Sequence, residues 1–334
     1  MYFWRYFNAT LLVANKIEEI GNKLSQDIYS QVKPDDTVIK LESHFLYDYH
    51  NNEDYAENTR PVVIWHGLGD SYNSSHIGNM ESMLKNMYPG MYIYNVRLDD
   101  DPSVDKRMSF FGNATEQVEI VCEKLTEIPE LQKGFDAIGF SQGGLFLRSL
   151  VQTCATSKIG KLITFGSPHM GIKDLPICEE GDWFCKRKNA ILKGQIWNER
   201  VQSTVVPAQY FRDPAQYDRY LEHSHFLGFM NNEHDGEINI SYGQRMSSLE
   251  KLVLVMFNED KTLVPKESAF FYDSDAEGRI LNFNDTKLYK QDLIGLKRLS
   301  DDGRIDFFEI DEDHMRIPQN FFLDIAEKYL GAKI

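Results

Sequence analysis

Pro61-Val62-Val63-Ile64-Trp65 is a short, uniformly apolar, β-branched run bounded by a proline and by Gly67, the pattern of a strand buried on both faces. Similar runs recur at Met91–Val96, Phe135–Ile138, Leu162–Phe165, Leu252–Phe257 and Ile305–Ile310. Between them lie stretches with helical spacing. Asn113-Ala114-Thr115-Glu116-Gln117 leads into Val118, Val121, Cys122 and Leu125, and Gly144–Thr153 repeats the pattern. Strands alternating with helices predict an α/β fold, a mostly parallel sheet with helices on both faces. From about residue 171 to 248 the rhythm breaks, with aromatics, Pro207, Pro214 and a His-rich piece, and a largely helical insertion is expected there. Residues 1–58 are polar and uneven and are expected to form an extension ahead of a main domain spanning 59–334.

Composition narrows the function. The 334 residues carry 36 basic and 51 acidic side chains, a net charge of −15, without a local basic patch. Such a surface repels phosphate backbones and anionic lipid, so nucleic acid is not an expected partner. No apolar run approaches the ~18 residues of a membrane-spanning helix, and no transmembrane span is expected. Cys122, Cys154, Cys178 and Cys185 include no C-x-x-C pair, so no metal site is expected from them. The stretch Asp273-x-Asp275-x-Glu277-Gly278 imitates a calcium loop but places Asn284 where a bidentate Glu is needed. An even cysteine count and sequons at Asn8, Asn73, Asn113, Asn239 and Asn284 favour disulfides, glycosylation and the secretory pathway. The first residues leave three readings open: Met1–Ala14 is an incomplete signal, an atypical one, or the first turns of a helix continuing through Lys16–Leu24.

The chemistry is announced by Gly139-Phe140-Ser141-Gln142-Gly143, a G-x-S-x-G between a strand and a helix. Small residues on either side let a sharp turn form that lifts the Ser141 hydroxyl above the sheet, as in an α/β-hydrolase. A serine so placed needs a base, a carboxylate to orient the base, and donors for an oxyanion. Asp260 follows the apolar run Leu252–Phe257, and His314 follows Ile305–Ile310, in the chain order that this fold requires. Glu259 competes with Asp260, and His169, after Leu162–Phe165, competes with His314. His223, His225 and His234 fall in the insertion and lack a preceding strand. The oxyanion donors are expected to be the N–H groups of Gln142 and of Leu68, the latter in the glycine-rich loop His66-Gly67-Leu68-Gly69-Asp70. No cofactor is called for.

Val63-Ile64-Trp65-His66-Gly67 with Gly69-Asp70, the elbow with Gly144 and Phe146-Leu147-Arg148, Gln209-Tyr210 with Asp213-Pro214, Leu288-Tyr289, Gln291-Asp292, Gly295-Leu296-Lys297 and Asp313-His314 together resemble the palmitoyl-protein thioesterases of the lysosomal type. The resemblance runs from about residue 60 to the end. It implies a triad on Ser141, Asp260 and His314, disulfides pairing Cys122 with Cys154 and Cys178 with Cys185, and a glycan on Asn239. It also implies S-acylated proteins or acyl thioesters as substrates, and an address in the lysosome or vacuole or another secretory lumen, or secretion. Animal relatives have adjacent cysteines where this chain has Ser71-Tyr72. An acyl groove is expected from Trp183, Phe184, Ile191, Leu192, Ile196, Trp197, Phe226, Leu227, Phe229 and Met230, unless these form the core of a second lobe. Gly166-Ser167-Pro168-His169 resembles lipases, which supports a carboxylester lipase or esterase as the alternative. The third reading is a non-catalytic hydrolase fold that binds acyl chains or a protein.

Overall fold

The computed structural model describes residues 59–174, 194–234, 236, 238–275 and 277–332. The expected extension 1–58, Cys178, Cys185, Trp183, Phe184, Ile191 and Leu192 lie outside the described residues. The chain runs through β1 (Val62–Trp65), α1 (Ser75–Met87), β2 (Ile93–Asn95), α2 (Pro102–Met108), α3 (Ala114–Thr126), β3 (Phe135–Phe140), α4 (Gln142–Thr153) and β4 (Ile159–Phe165). Among the described residues, five short helices follow, α5 (Glu199–Thr204), α6 (Val206–Gln209), α7 (Tyr217–His223), α8 (Leu227–Met230) and α9 (Ile240–Met246). The chain returns to the sheet at β5 (Lys251–Phe257) and then forms the ribbon of β6 (Asp273–Ser274) and β7 (Ile280–Leu281). It ends with α10 (Lys287–Lys290), α11 (Leu296–Asp301), β8 (Ile305–Ile310) and α12 (Gln319–Tyr329).

Six strands pair in parallel in the order β2-β1-β3-β4-β5-β8. The uniformly apolar runs are explained by the two cores they separate. Val63, Trp65, Leu252 and Leu254 face one core with α3 and α4, while Val62, Ile64, Val253 and Val255 face the other with α1 and α12. This is the α/β-hydrolase fold. The outer strand β8 differs in kind: Phe307 and Glu309 are exposed, as an unpaired edge with charge along it should be. The order reverses between β1 and β3, and such a switch opens a crevice at the carboxyl ends of the strands.

Helix starts are set by side chains. The Asn113 Oδ1 accepts from the Thr115 and Glu116 N–H groups at the head of α3, and Asp101 caps α2 with Pro102 in the first turn. Cys122 of α3 and Cys154 at the end of α4 form a disulfide with a Cα–Cα distance of 5.7 Å, the pair that the resemblance implies.

The short helices between β4 and β5 share the main core. Ile196, Trp197, Phe226, Leu227 and Met230 are buried in it, and Phe226 packs edge-on against Phe146 of α4. These members of the expected acyl groove are therefore core; Phe229 alone among the described ones is exposed. One buried polar knot fastens this region. Glu233 accepts from the Arg212 guanidinium at 2.8 Å and from the Tyr220 hydroxyl at 2.6 Å, while Arg212 also pairs with Asp273 at 2.6 Å. With both carboxylates against it, Arg212 is held well above its usual pKa despite burial.

Two stability predictions follow from these links. Replacing Cys122 and Cys154 together by serine opens a closed loop with a sequence separation of 32 residues, and the denaturant midpoint should fall by the equivalent of about 3–4 kcal/mol. Arg212→Met strands two carboxylates, one fully buried, and should cost roughly 3–5 kcal/mol. A thermal midpoint within a degree of the parent in either variant would contradict the corresponding link.

Candidate active site

Ser141 sits between β3 and α4 with φ 48° and ψ −121°, a conformation that costs a non-glycine residue on the order of 1–3 kcal/mol. The strain is imposed by packing that only glycine permits. A Cβ on Gly139 would lie 2.2 Å from the Gly144 Cα, and one on Gly143 would lie 2.2 Å from the Trp65 carbonyl oxygen. Strand, elbow and helix thus collapse onto one another and onto the end of β1. The Ser141 N–H donates to the Phe165 carbonyl at 2.8 Å, which fixes the elbow to β4.

His314, in the turn after β8, places Nε2 3.0 Å from the Ser141 Oγ and Nδ1 2.5 Å from the Asp260 Oδ2. Asp260 lies after β5, and its other oxygen accepts from the Thr262 and Leu263 N–H groups, each at 2.8 Å. Those two bonds lock the carboxylate facing the ring. His314 is 6% exposed and the Asp260 side chain 1%, so the pair lies in a medium of low dielectric, while Ser141 is half-buried. This is the arrangement in which a carboxylate can orient an imidazole, the imidazole can take a serine proton, and the hydroxyl can attack a carbonyl carbon.

The rivals are elsewhere. Glu259 is exposed. His169 is buried, with Nε2 3.0 Å from the Thr164 hydroxyl and its ring stacked on Phe271 at 4.4 Å. Burial and the neighbouring Arg148 charge hold it well below the usual imidazole range, so it stays neutral and structural. His225 is exposed, and His234 stacks against Phe229. Gly166-Ser167-Pro168-His169 is buried scaffolding: a Cβ on Gly144 would lie 2.0 Å from the Ser167 Oγ, so Ser167 packs against the start of α4.

Gln142 begins α4 directly after the serine, so its N–H is one of the unpaired donors at a helix start. Its side chain is pinned, donating to the Ser109 carbonyl at 3.1 Å and accepting from the Tyr210 hydroxyl at 3.0 Å. The Leu68 N–H donates to no acceptor among the described residues. Its loop lies against the nucleophile: a Cβ on Gly67 would be 3.2 Å from the Ser141 Cβ. Asp105 of α2 fastens that loop. Its carboxylate meets the His66 Nε2 at 3.0 Å and accepts from the Tyr72 N–H at 2.9 Å and the Leu98 N–H at 2.8 Å. Nothing around Asp105 in the sequence marks it for this task. Tyr210, which the family resemblance includes without a role, is brought against Gln142 by the structure.

Comparison with known proteins bears on the identity of this machinery. The model of the family described as palmitoyl protein thioesterase matches residues 61–314. Palmitoyl-protein thioesterase 1 of Caenorhabditis elegans is 38% identical over 274 residues, covering 80% of this chain and 91% of its own. A lysosomal thioesterase PPT2 homolog of Drosophila melanogaster is 27% identical over 249 residues, covering 74% of this chain and 82% of its own. Among solved structures, a Bacillus licheniformis lipase aligns with a TM-score of 0.41 and 15% identity, covering 82% of this chain and 92% of its own. The family match spans every strand of the sheet from β1 to the turn that carries His314, and on that match the chain belongs to the palmitoyl protein thioesterase family.

Proposed function

We propose that the protein is a serine hydrolase that removes long-chain fatty acyl groups, palmitoyl among them, from cysteine thioesters of proteins. The observation that carries this is the continuous Ser141–His314–Asp260 chain of hydrogen bonds in a member of the palmitoyl protein thioesterase family. Ser141, losing its proton to His314, attacks the thioester carbonyl and forms a tetrahedral oxyanion. The N–H groups of Leu68 and Gln142 receive that charge. His314 returns the proton to the departing cysteine sulfur, leaving an acyl-serine. Water, deprotonated by the same ring, then releases the fatty acid. The lipase-like segment supplies no argument for an oxygen-ester substrate, since its residues are buried. No cofactor enters these steps.

A lysosomal or other secretory address belongs to the same proposal. The Cys122–Cys154 disulfide suits an oxidising lumen. Asn73, Asn239 and Asn284 are exposed, and Asn113 is half-buried. Asn113 and Asn239 both cap helices through Oδ1, which leaves Nδ2, the atom a glycan would occupy, free of that task. Glycosylation at these sites would therefore spare the helix starts.

Three measurements check the proposal. Ser141→Ala should keep its thermal midpoint and lose turnover of a palmitoyl thioester by about 10,000-fold or more; retained turnover would refute it. Asp260→Asn should cost on the order of 10,000-fold in kcat, whereas Glu259→Gln should stay within about twofold; the reverse ranking would move the carboxylate role to Glu259. Finally, kcat/KM for a palmitoyl thioester should exceed that for the matching oxygen ester, and a preference for the ester would make this a lipase.

A further inference from the structure

We propose that His66 is a positioning residue of the oxyanion hole, polarising the Gly67–Leu68 peptide so that the Leu68 N–H becomes a stronger donor to the developing oxyanion, with Asp105 holding the ring in place. This rests on the functional reading above. The geometry is a relay through one peptide unit. The His66 Nδ1 lies 3.0 Å from the Gly67 carbonyl oxygen, and that carbonyl belongs to the same amide as the Leu68 N–H. A donor on the oxygen end of an amide draws electrons from its nitrogen end and strengthens the N–H, the cooperative effect of hydrogen bonds in series. The Asp70 N–H also donates to the Gly67 oxygen, at 3.3 Å.

The ring's charge state follows from its partners. The Gly67 carbonyl can only accept, so Nδ1 carries a proton. Asp105 accepts backbone N–H bonds on both of its oxygens, which favours the carboxylate, so Nε2 carries one as well. His66 is thereby an imidazolium, 4% exposed, against an Asp105 that is fully buried. The titratable groups facing it are Asp105 from α2 and Asp70 from its own loop, and both favour the proton. Burial works against the charged ring, yet the two carboxylates and the Gly67 carbonyl outweigh it and the histidine is held above its usual range. Asp105 is held below its own by the same pairing, also against burial. A fixed positive charge thus stands behind one oxyanion donor and no reorganisation is needed to bring it there. The end of α2 steadies the other donor too: the Ser109 hydroxyl accepts from the Gly69 N–H at 2.8 Å, and its carbonyl accepts from the Gln142 side chain.

The test uses the full chain and a palmitoyl thioester, with Ser141→Ala as the blank. His66→Asn can keep a neutral donor near the Gly67 oxygen, and Asp105→Asn removes the charge partner while keeping the ring. Each should lower kcat roughly ten- to hundredfold with KM nearly unchanged, less than the loss of a whole oxyanion donor. In Asp105→Asn the buried ring loses its proton more readily, so kcat should fall on the alkaline side where the parent stays level. Inhibition by a long-chain alkyl trifluoromethyl ketone, whose serine adduct carries an oxyanion, should weaken by the same factor as kcat, while palmitate binds as before. Unchanged kcat and ketone affinity in folded variants, or equal losses for ketone and palmitate, would overturn the proposal. Should the variants fail to fold, nitrogen NMR of the parent decides: one of the nine histidines must stay doubly protonated above the usual imidazole range. A spectrum in which all nine become neutral there overturns it. Retained activity in Ser141→Ala would instead remove the reading on which the proposal rests.

Discussion

Everything at the site depends on the close approach of backbone to backbone at Gly139, Gly143 and Gly144. With no Cβ at these positions, the end of β3, the start of α4 and the end of β1 meet at distances no other side chain allows. That contact forces the turn at Ser141, brings the Gly67 loop beside it and aims the first N–H groups of α4 at the same point. The hydrophobic core supplies the stability, and the glycines decide where it is spent. A methyl group at Gly143 would push against the Trp65 carbonyl oxygen and so separate the elbow from the loop after β1.

The parallel sheet then does the rest by position. Leu68, Ser141, Asp260 and His314 follow β1, β3, β5 and β8, at the carboxyl ends of strands each of which lies beside the next or two places from it in the sheet. Residues remote in the chain are delivered to one crevice because parallel strands all point their loops the same way. The hydrogen bonds from Thr262 and Leu263 to Asp260 complete the placement locally.

This explains what could be read from the sequence and what could not. Runs such as Val62–Trp65 and Leu252–Phe257 are legible because a strand buried on both faces leaves no polar alternative, and the glycines around Ser141 are legible because the elbow admits nothing else. The edge strand β8 was readable by its flanking apolar residues, although Phe307 and Glu309 face solvent. The insertion was legible only as a break in rhythm. Its aromatics carry no period that separates a groove from a core, and the structure puts Trp197, Phe226 and Leu227 in the core. Asp105 was invisible, and Tyr210 was marked only by the family resemblance and given no role, because their roles arise from long-range contacts, with Asp105 39 residues from His66 and Tyr210 68 from Gln142, and no local pattern encodes such a meeting.

His66 and His314 show how one site can use the same side chain for opposite purposes. Each has a buried carboxylate against one ring nitrogen, Asp105 in one case and Asp260 in the other. The difference lies in the second partner. At His314 it is a hydroxyl, which can donate as well as accept, so the ring can be neutral at Nε2 and take the serine proton. At His66 it is the Gly67 carbonyl, which can only accept, so that nitrogen keeps its proton. In the proposed mechanism the tasks of base and electrostatic support are divided by the chemistry of a single oxygen atom at each ring, and the close packing at the elbow sets the two rings' partners, Ser141 and the Gly67–Leu68 peptide, side by side.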